Sequence, residues 1–313
     1  MKDGAMVASC AARASRSSPS LERPMKPSDS VFVDIRGLRY HCRTWGDPAH
    51  PKLFLLHGWM DVSASFQFFV DALRDDWHAI APDWRGYGLT QWSGADSYWF
   101  PDYLADLDAL LGRFSPDQAV NLLGHSMGGN VASLYAGVRP ERVAKLINLE
   151  GFGLRGNDAG EAPARYARWL ADLDAPQRFR DYASFEELAA RLRSANPRLT
   201  SERALFFAHH WGMPTPDGRV GLRSDPAHKR VNPILYRLEE AEACWRAVTA
   251  PVLWVEGTES ETIKRLRIDG PAYEARKRAF ANLTAHALAD AGHMLHHDQP
   301  AALARIVEDF LRG

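Results

Sequence analysis

The sequence predicts an α/β protein in which a mostly parallel sheet is flanked by helices. Two observations carry this prediction. Short apolar runs of strand length alternate with helical patterns over residues 30–151 and again over residues 249–313. Between these regions, residues 152–248 show helical and loop patterns without obvious strands. This stretch is inserted between two strands of the sheet, so we expect it to form a helical cap on an α/β core.

The individual elements follow from local pattern. Two apolar runs flanking Arg36-Gly37 predict a β-hairpin, Val31–Ile35 with Leu38–Trp45. The further predicted strands are Lys52–Leu56, Trp77–Ala81, Ala119–Leu123, Val143–Leu149, Pro251–Glu256 and Thr284–Ala289. The predicted helices of the core are Ser65–Leu73, Tyr98–Phe114, Asn130–Ala136, Pro271–Phe280 and Ala301–Leu311. Strands that alternate with helices imply right-handed crossovers and a parallel sheet.

The composition is typical of a globular protein and argues against several other classes. The 313 residues are 46% hydrophobic and 25% charged, which is ordinary for a globular chain with one large domain and an insertion. The net charge of -1 gives no electrostatic case for nucleic acid or an anionic membrane as a partner. Three widely spaced cysteines, Cys10, Cys42 and Cys244, suit a reducing cytoplasm better than a disulfide framework. No apolar run approaches the roughly 18 residues of a membrane span, and nothing indicates an oligomeric state.

Residues 1–29 differ from the remainder of the chain. They are rich in Ala, Ser, Arg and Pro and lack apolar periodicity. A secretory signal would contain an apolar core of about 7–15 residues, which is absent. The Arg, Ser and Ala content is slightly similar to that of a transit peptide, but Asp3 and Glu22 argue against one. We expect a disordered tail, with Met25 as an alternative start.

The most informative stretch is Gly124-His-Ser-Met-Gly128, which lies between an apolar strand and a helical segment. A serine at the tip of a sharp strand-to-helix turn has strained backbone geometry, so the residues two before and two after it must be small. Gly124 and Gly128 satisfy that need. The N-terminus of the following helix then directs free N–H groups at whatever the hydroxyl attacks. The pattern predicts Ser126 as a nucleophile.

Four segments together resemble one family. They are Leu56-His57-Gly58-Trp59, Asp83-Trp84-Arg85-Gly86-Tyr87-Gly88, Gly124-His125-Ser126-Met127-Gly128-Gly129 and Ala291-Gly292-His293. In order and spacing the chain resembles the α/β-hydrolases, and among them the small capped esterase-like members. The resemblance extends from about Val31 to the C-terminus. It implies an α/β-hydrolase fold with a helical cap insertion.

A serine hydroxyl becomes a useful nucleophile only when a neighbouring base accepts its proton. His293 is the expected base, because the small residues Ala291 and Gly292 before it match the family's pattern. His296 and His297 lie close by along the chain and are the alternatives.

The acid of the triad is expected between the serine and the histidine in chain order. Most of the family has it as Gly-x-x-Asp after the strand that follows the cap, but here Ser260 stands at that position. Some relatives place it after the strand that follows the serine helix, where this chain has Glu150. A carboxylate at the tip of an apolar strand needs a partner, and a histidine is one. We assign Glu150, with Glu259 and Glu256 as alternatives; Glu150 could instead only bind backbone N–H groups at the hinge of the cap.

The oxyanion hole should consist of the backbone amides of Met127 and Trp59. His57 is expected to tie loops together, and Asp83 and Arg85 are expected to brace their loop as a charged pair. Asp61 has no clear role in this pattern.

The predicted cap contains a set of aromatic and histidine residues that could pack its core or line an apolar acyl or aryl pocket. They are Tyr166, Trp169, Phe206, Phe207, His209, His210, Trp211 and Met213. No metal site is expected there, because adjacent histidines on a helix point apart and no cysteine or acidic residue has ligand spacing.

These features predict a serine hydrolase that cleaves a small or medium carboxylic ester through an acyl-enzyme, without a metal or organic cofactor. A serine at position 126 argues against dehalogenase or epoxide-hydrolase chemistry, for which this family uses aspartate. Two alternatives stay open: a carbon–carbon bond hydrolase with the same triad, and a ligand-binding protein with a vestigial site.

Overall fold

A computed structural model describes residues 24–175 and 177–313. Its strands are β1 (Asp29–Ile35), β2 (Leu38–Trp45), β3 (Lys52–Leu56), β4 (His78–Pro82), β5 (Val120–His125), β6 (Val143–Leu149), β7 (Gly212–Pro214), β8 (Val220–Leu222), β9 (Val252–Gly257) and β10 (Leu283–Leu288). Its helices are α1 (Gln67–Ala72), α2 (Phe100–Phe114), α3 (Met127–Val138), α4 (Ala162–Asp174), α5 (Phe185–Ala195), α6 (Ser201–Trp211), α7 (Leu238–Arg246), α8 (Thr262–Arg265), α9 (Gly270–Arg278), α10 (Leu295–Asp298) and α11 (Pro300–Arg312).

The central sheet has eight strands in the order β1-β2-β4-β3-β5-β6-β9-β10. The first hairpin, β1–β2, is antiparallel and joins β4 in antiparallel fashion, whereas the six strands from β4 to β10 are parallel. The strands at the centre of this sheet are almost wholly buried, as expected when helices cover both faces. The predicted α/β class with a mostly parallel sheet is confirmed.

Helices on the two faces of the sheet enclose two separate apolar clusters. Leu122 and Leu123 are successive residues of β5, yet they belong to opposite clusters, since neighbouring side chains of a strand point to opposite faces. One cluster includes residues of α2, α3 and α9, and the other includes residues of α1 and α11. Strand β5 is therefore held from both sides, which gives the turn at its carboxyl end a rigid support.

The segment between β6 and β9 contains α4 to α7 and a small antiparallel hairpin of β7 with β8. The prediction of no strands over 152–248 is wrong at this hairpin. Each of its strands has only three residues, too few for a period of two to be visible in the sequence. A separate group of buried residues, which includes Leu188 and Phe207, forms an apolar cluster within this segment.

The predicted N-terminal tail falls mainly on residues 1–23, which lie outside the described residues. Its last part is bonded to the core. The Lys26 backbone N–H donates to Asp71 Oδ1 at 2.8 Å, and Lys26 Nζ donates to the Leu73 carbonyl oxygen at 2.8 Å. Strand β1 begins at Asp29, so the tail predicted to residue 29 extends too far into the chain. Within the described ranges, no helix has the length and apolar character needed to cross a membrane.

Candidate active site

Ser126 occupies the turn between β5 and α3, with φ 52° and ψ −115°. A residue other than glycine rarely adopts this backbone conformation. It costs about 1–3 kcal/mol and persists only where the surrounding structure enforces it. Flanking glycines permit the tight turn. A Cβ on Gly124 would lie 2.3 Å from the Gly128 carbonyl oxygen, and a Cβ on Gly128 would lie 2.1 Å from the Leu56 carbonyl oxygen. The chain therefore presents the serine hydroxyl at the end of the sheet.

His293 lies in the loop that follows β10, and its ring reaches Ser126. The distance from His293 Nε2 to Ser126 Oγ is 3.0 Å, and that from His293 Nδ1 to Glu150 Oε2 is 2.8 Å. An ionised carboxylate can only accept a hydrogen bond, so Nδ1 carries the proton in this arrangement. The lone pair of Nε2 is then free to accept from the serine hydroxyl. The imidazole is oriented as a general base requires.

Glu150 follows β6 directly and has a positive φ of 56°. Its side chain is fully buried, and its Oε1 accepts the Gly257 backbone N–H at 2.8 Å. Its Oε2 accepts from His293 Nδ1 and also from the Ser260 hydroxyl. A buried carboxylate needs such donors to offset lost hydration. Ser260, which stands where the family usually has aspartate, thus donates to the glutamate that the neighbouring strand supplies.

The two alternative carboxylates bond elsewhere. Glu259 pairs with Arg198 and its side chain is 50% exposed, which places it at the surface. Glu256 accepts from the Tyr273 hydroxyl and pairs with Lys277 at 3.4 Å. The geometry therefore brings Glu150, rather than either of them, to His293.

The alternative histidines are buried on α10, and their rings contact residues other than Ser126. His296 Nε2 lies 3.4 Å from Ser65 Oγ and 3.6 Å from Asp61 Oδ2. His297 stacks on Phe207 with ring centroids 4.2 Å apart. Burial, together with the neighbouring His296, lowers the pKa of His297 well below its usual range. His296 therefore packs and bonds beside Ser65 and Asp61, whereas the His297 ring packs against Phe207.

His125 is a residue of the site for which the sequence carried no separate prediction. Its Nε2 donates to the backbone carbonyl oxygen of His293 at 2.8 Å, and burial lowers its pKa well below the usual range. The neutral ring therefore anchors the loop that bears His293. Its place beside Ser126 in the Gly-His-Ser-Met-Gly motif was the available signal.

The two predicted oxyanion amides flank the serine. Met127 is the first residue of α3, and Trp59 follows Gly58 in the loop after β3. A Cβ on Gly58 would lie 3.2 Å from Ser126 Cβ, so this loop packs directly against the serine. Both residues line the same cavity as Ser126.

The loop that carries His57 is held by hydrogen bonds. His57 Nε2 accepts the Trp84 backbone N–H at 2.9 Å, and the Trp84 indole N–H donates to the His57 carbonyl oxygen at 3.0 Å. Burial lowers the pKa of His57, so the ring is neutral and serves as an acceptor. Its contacts are structural.

Asp83 and Arg85 do not form the expected charged pair with each other, because each binds a different partner. Asp83 contacts His41 Nδ1 at 2.7 Å and accepts the Ser63 backbone N–H, whereas Arg85 binds Asp106 through Nε and Nη2. Burial alone would raise the pKa of Asp83, but the hydrogen bond and charge of His41, the charge of His57 and the hydrogen bond from the Leu89 backbone N–H together outweigh it and lower the pKa. Asp83 and Arg85 are separated by one residue, yet their partners lie on different elements, β2 and α2. Their spacing in the sequence does not reveal these partners.

A cavity of about 280 Å³ opens above Ser126. Its lining is mostly aromatic and apolar, and comprises Trp59, Tyr98, Trp99, Phe100, Tyr103, Ser126, Met127, Asn130, Leu154, Ala227, His228 and Arg230. The aromatic residues predicted in the cap do not contribute to this lining. Phe206 and Phe207 pack against Phe68 instead, and Tyr166 borders a second cavity. The aromatic walls come from the loop after β3, the segment just before α2 and the first turn of α2 itself.

Among the described residues, one group of side chains beside the triad has the spacing of metal ligands. Asp61, His125 and His296 are buried and place ligand atoms within 4.8 Å of one another. Asp61 also accepts from the Val62 backbone N–H and the Ser65 hydroxyl, so its oxygens already have partners. On α6, His209 packs on Phe185 and His210 packs on Phe206, so the two rings have different neighbours.

Comparisons with known proteins agree with the fold. The chain is 30% identical over 296 residues to a 3-hydroxybutyrate-oligomer hydrolase of Cupriavidus necator, covering 89% of this chain and 94% of that protein. It is 25% identical over 277 residues to a serine hydrolase-like protein of Danio rerio, covering 86% and 84% of the two chains. The solved thioesterase domain from the curacin biosynthetic pathway superposes with a TM-score of 0.82 at 24% identity, covering 90% of this chain and 99% of that domain.

A sequence profile described as alpha/beta hydrolase fold matches residues 51–300, which include β3, the serine turn and the His293 loop. The chain therefore belongs to the alpha/beta hydrolase family.

Proposed function

We propose that this protein is a serine esterase with the triad Ser126, His293 and Glu150. The observation that carries the proposal is the continuous chain of contacts from Ser126 Oγ through both nitrogens of His293 to a buried carboxylate. Each group is held in place from outside the triad: the serine by its strained turn, the His293 loop by His125, and the glutamate by Gly257 and Ser260. Such preorganisation is what a nucleophile–base pair requires.

In the first half of the reaction, Ser126 Oγ attacks the ester carbonyl while its proton passes to His293 Nε2. Glu150 accepts from Nδ1 and stabilises the imidazolium that forms. The amides of Met127 and Trp59 donate to the developing oxyanion, which is worth roughly 10²–10³ in rate for each donor. The imidazolium then protonates the leaving alcohol, and an acyl-enzyme remains on Ser126.

In the second half, His293 accepts a proton from water as the water oxygen attacks the acyl carbonyl. The same two amides bind the second oxyanion. Collapse of this intermediate returns the proton to Ser126 Oγ and releases the carboxylic acid. The serine, the base and the carboxylate end the cycle in their starting protonation states. The enzyme is then ready for the next substrate.

Two observations support a small or medium carboxylic ester as substrate. The cavity of about 280 Å³ is slightly below the usual range for drug-sized ligands. The Cupriavidus necator relative is named for hydrolysis of 3-hydroxybutyrate oligomers, whose repeating bond is an ester. We propose that residues 152–248 act as the cap, because Leu154, Ala227, His228 and Arg230 complete the cavity wall. Among the residues that the structure describes, Cys42 and Cys244 are free thiols, which supports a cytoplasmic setting as part of this proposal.

A panel of p-nitrophenyl esters of increasing acyl length tests this function. The wild type should hydrolyse the shorter esters, and Ser126→Ala should lower kcat by at least about 10³-fold, since the nucleophile is lost. Ser194→Ala, an exposed serine on α5, is the matched control and should retain wild-type turnover. Equal activity of the wild type and Ser126→Ala on every ester would rule the proposal out.

A further inference from the structure

One wall of the Ser126 cavity carries a charge that the ester chemistry does not use. Among the described residues of the lining, Arg230 is the one with a permanently charged side chain, and no lining residue is a carboxylate. His228, beside it in the wall, stacks between Tyr87 and Tyr98. Burial lowers the pKa of His228 to about 3, so that ring is neutral at neutral pH. The cavity therefore combines aromatic walls with a single positive charge.

The structure holds this guanidinium only loosely. Arg230 Nη1 lies 3.4 Å from the Asp96 backbone oxygen and 3.7 Å from Asp96 Oδ1, and the Asp96 side chain is 68% exposed. Arg230 Nε is buried and has no acceptor among the described residues. An arginine has five N–H donors in a planar fork that matches a carboxylate. Its position thus leaves donors available on the side of the cavity.

We infer that Arg230 is a carboxylate-binding subsite, and that the substrate is an ester that carries a second, free carboxylate. This inference rests on the proposed esterase function and specifies its substrate class. A carboxylate brought beside Arg230 would accept from its terminal Nη–H groups and form charge-assisted hydrogen bonds with the guanidinium. A neutral ester of the same shape would leave the guanidinium without an anionic partner in the cavity.

Paired substrates test the inference. In each pair one member has a free carboxylate and the other has the isosteric primary amide. Monoethyl glutarate and ethyl glutaramate place the group on the acyl side, whereas 3-butyryloxybutyrate and 3-butyryloxybutyramide place it on the alcohol side. The ratio of kcat/KM for acid over amide is the readout, and the pair with the larger ratio identifies the side of the ester that faces Arg230.

The expected ratio for wild type exceeds one in at least one pair. Arg230→Met should lower that ratio roughly 10- to 100-fold, as expected when one partner of a charged hydrogen bond is removed. Arg230→Lys should give an intermediate ratio, because it keeps the charge but loses the planar fork. Arg168→Met, which removes an exposed arginine from α4 outside the cavity lining, is the matched control and should leave the ratio unchanged.

The amide member reports in every variant whether the enzyme folds and turns over. Hydrolysis of both members with a ratio that Arg230→Met does not change would overturn the subsite while leaving the esterase function intact. Calorimetric titration of the Ser126→Ala variant with each acid member measures binding without turnover. Binding of an acid that is lost in Ser126→Ala/Arg230→Met supports the subsite even if the wild type hydrolyses no ester, which would contradict only the proposed function. Absence of binding by every acid member overturns the subsite.

Discussion

The carboxylate of Glu150 receives hydrogen bonds from three separate parts of the chain. Gly257 and Ser260 donate from the end of β9 and the turn after it, and His293 donates from the loop after β10. Ser260 stands where the family pattern has an aspartate, and the carboxylate is instead that of Glu150. The negative charge that faces the imidazole therefore comes from β6, and the hydroxyl after β9 supports it.

Replacing Glu150 with glutamine should lower kcat by about 10³- to 10⁴-fold while leaving the fold intact. A neutral amide no longer stabilises the imidazolium and can favour the wrong tautomer of His293. Ester hydrolysis under saturating substrate measures the effect. Glu259→Gln changes an exposed carboxylate that pairs with Arg198 and should keep kcat within a few-fold of wild type. A large loss in Glu259→Gln with full activity in Glu150→Gln would reverse the assignment.

The sequence predicts individual site residues only where a motif or a strand end encodes the position. Ser126, His293 and Glu150 lie at motif positions or at a strand end, and the structure brings their side chains together. The contacts of His125 and Ser260 depend on distances between residues more than 100 positions apart, which no local pattern contains. Arg230 follows the short turn Pro226–Lys229, and only the folded chain places it in the same cavity lining as Ser126.

At the scale of elements, the helix that follows Ser126 packs very closely on its neighbour. Gly137 lies in the last turn of α3, and a Cβ there would stand 1.9 Å from the Cys244 carbonyl oxygen of α7. Gly112 in α2 is also helical, but no atom lies within 4 Å of the position a Cβ would take. Alanine substitution at Gly137 therefore tests the close packing of α3 on α7, whereas substitution at Gly112 tests helix propensity alone.

Gly137→Ala should destabilise the protein by about 1–3 kcal/mol, because the backbone of α7 must move to admit the methyl group. Gly112→Ala, its matched control, should raise the free energy of unfolding by up to about 1 kcal/mol through helix propensity alone. Urea unfolding of both variants measures these changes. Equal effects of the two substitutions would show that α3 and α7 do not pack as closely as described.

Element boundaries show which local signals are reliable. The largely apolar strands β3 and β6 matched their predicted ranges, because strands that are mostly buried leave a clear pattern. Helix α3 begins at Met127 rather than at the predicted Asn130, since the chain passes from strand to helix with no loop between them. The hairpin β7–β8 was missed because its pairing depends on a turn and on the bridge from Tyr182 to Val220.

For the whole molecule, the buried histidines determine how stability changes with pH. Burial lowers the pKa of His57, His125 and His297, and lowers that of His228 to about 3 and that of His210 to about 4. In the unfolded chain each has a pKa near 6.5. Below about pH 6.5 the unfolded chain therefore binds protons that the folded protein does not, which favours unfolding.

The free energy of unfolding should fall as the pH is lowered from about 7.5 to about 5.5, with a slope of up to roughly 1.4 kcal/mol per pH unit for each such histidine. Urea unfolding at several pH values measures the slope. His228→Gln removes one of these rings and should reduce the slope by up to roughly 1.4 kcal/mol per pH unit, which is the contribution of one proton. A free energy of unfolding that stays level or rises over this range would contradict the neutral burial of these histidines.

The meeting of residues 126, 150 and 293 is a property of the whole sheet. Ser126 and Glu150 follow the neighbouring strands β5 and β6, and His293 lies in the loop after β10, two strand positions beyond β6. Because these strands are parallel, their carboxyl ends share one edge, and the sequence predicts that edge through the order of its strands and helices. It does not predict the cavity above, since Trp59, Tyr98 and Arg230 come together from distant loops.

Labelling with a fluorophosphonate tests whether His293 and Glu150 activate Ser126. The probe reacts with activated serines, and peptide mass spectrometry locates the adduct. We expect phosphonylation at Ser126 in the wild type, with the labelling rate strongly reduced in His293→Ala and in Glu150→Gln. Labelling at another residue, or an equal rate of Ser126 labelling in all three proteins, would contradict that activation.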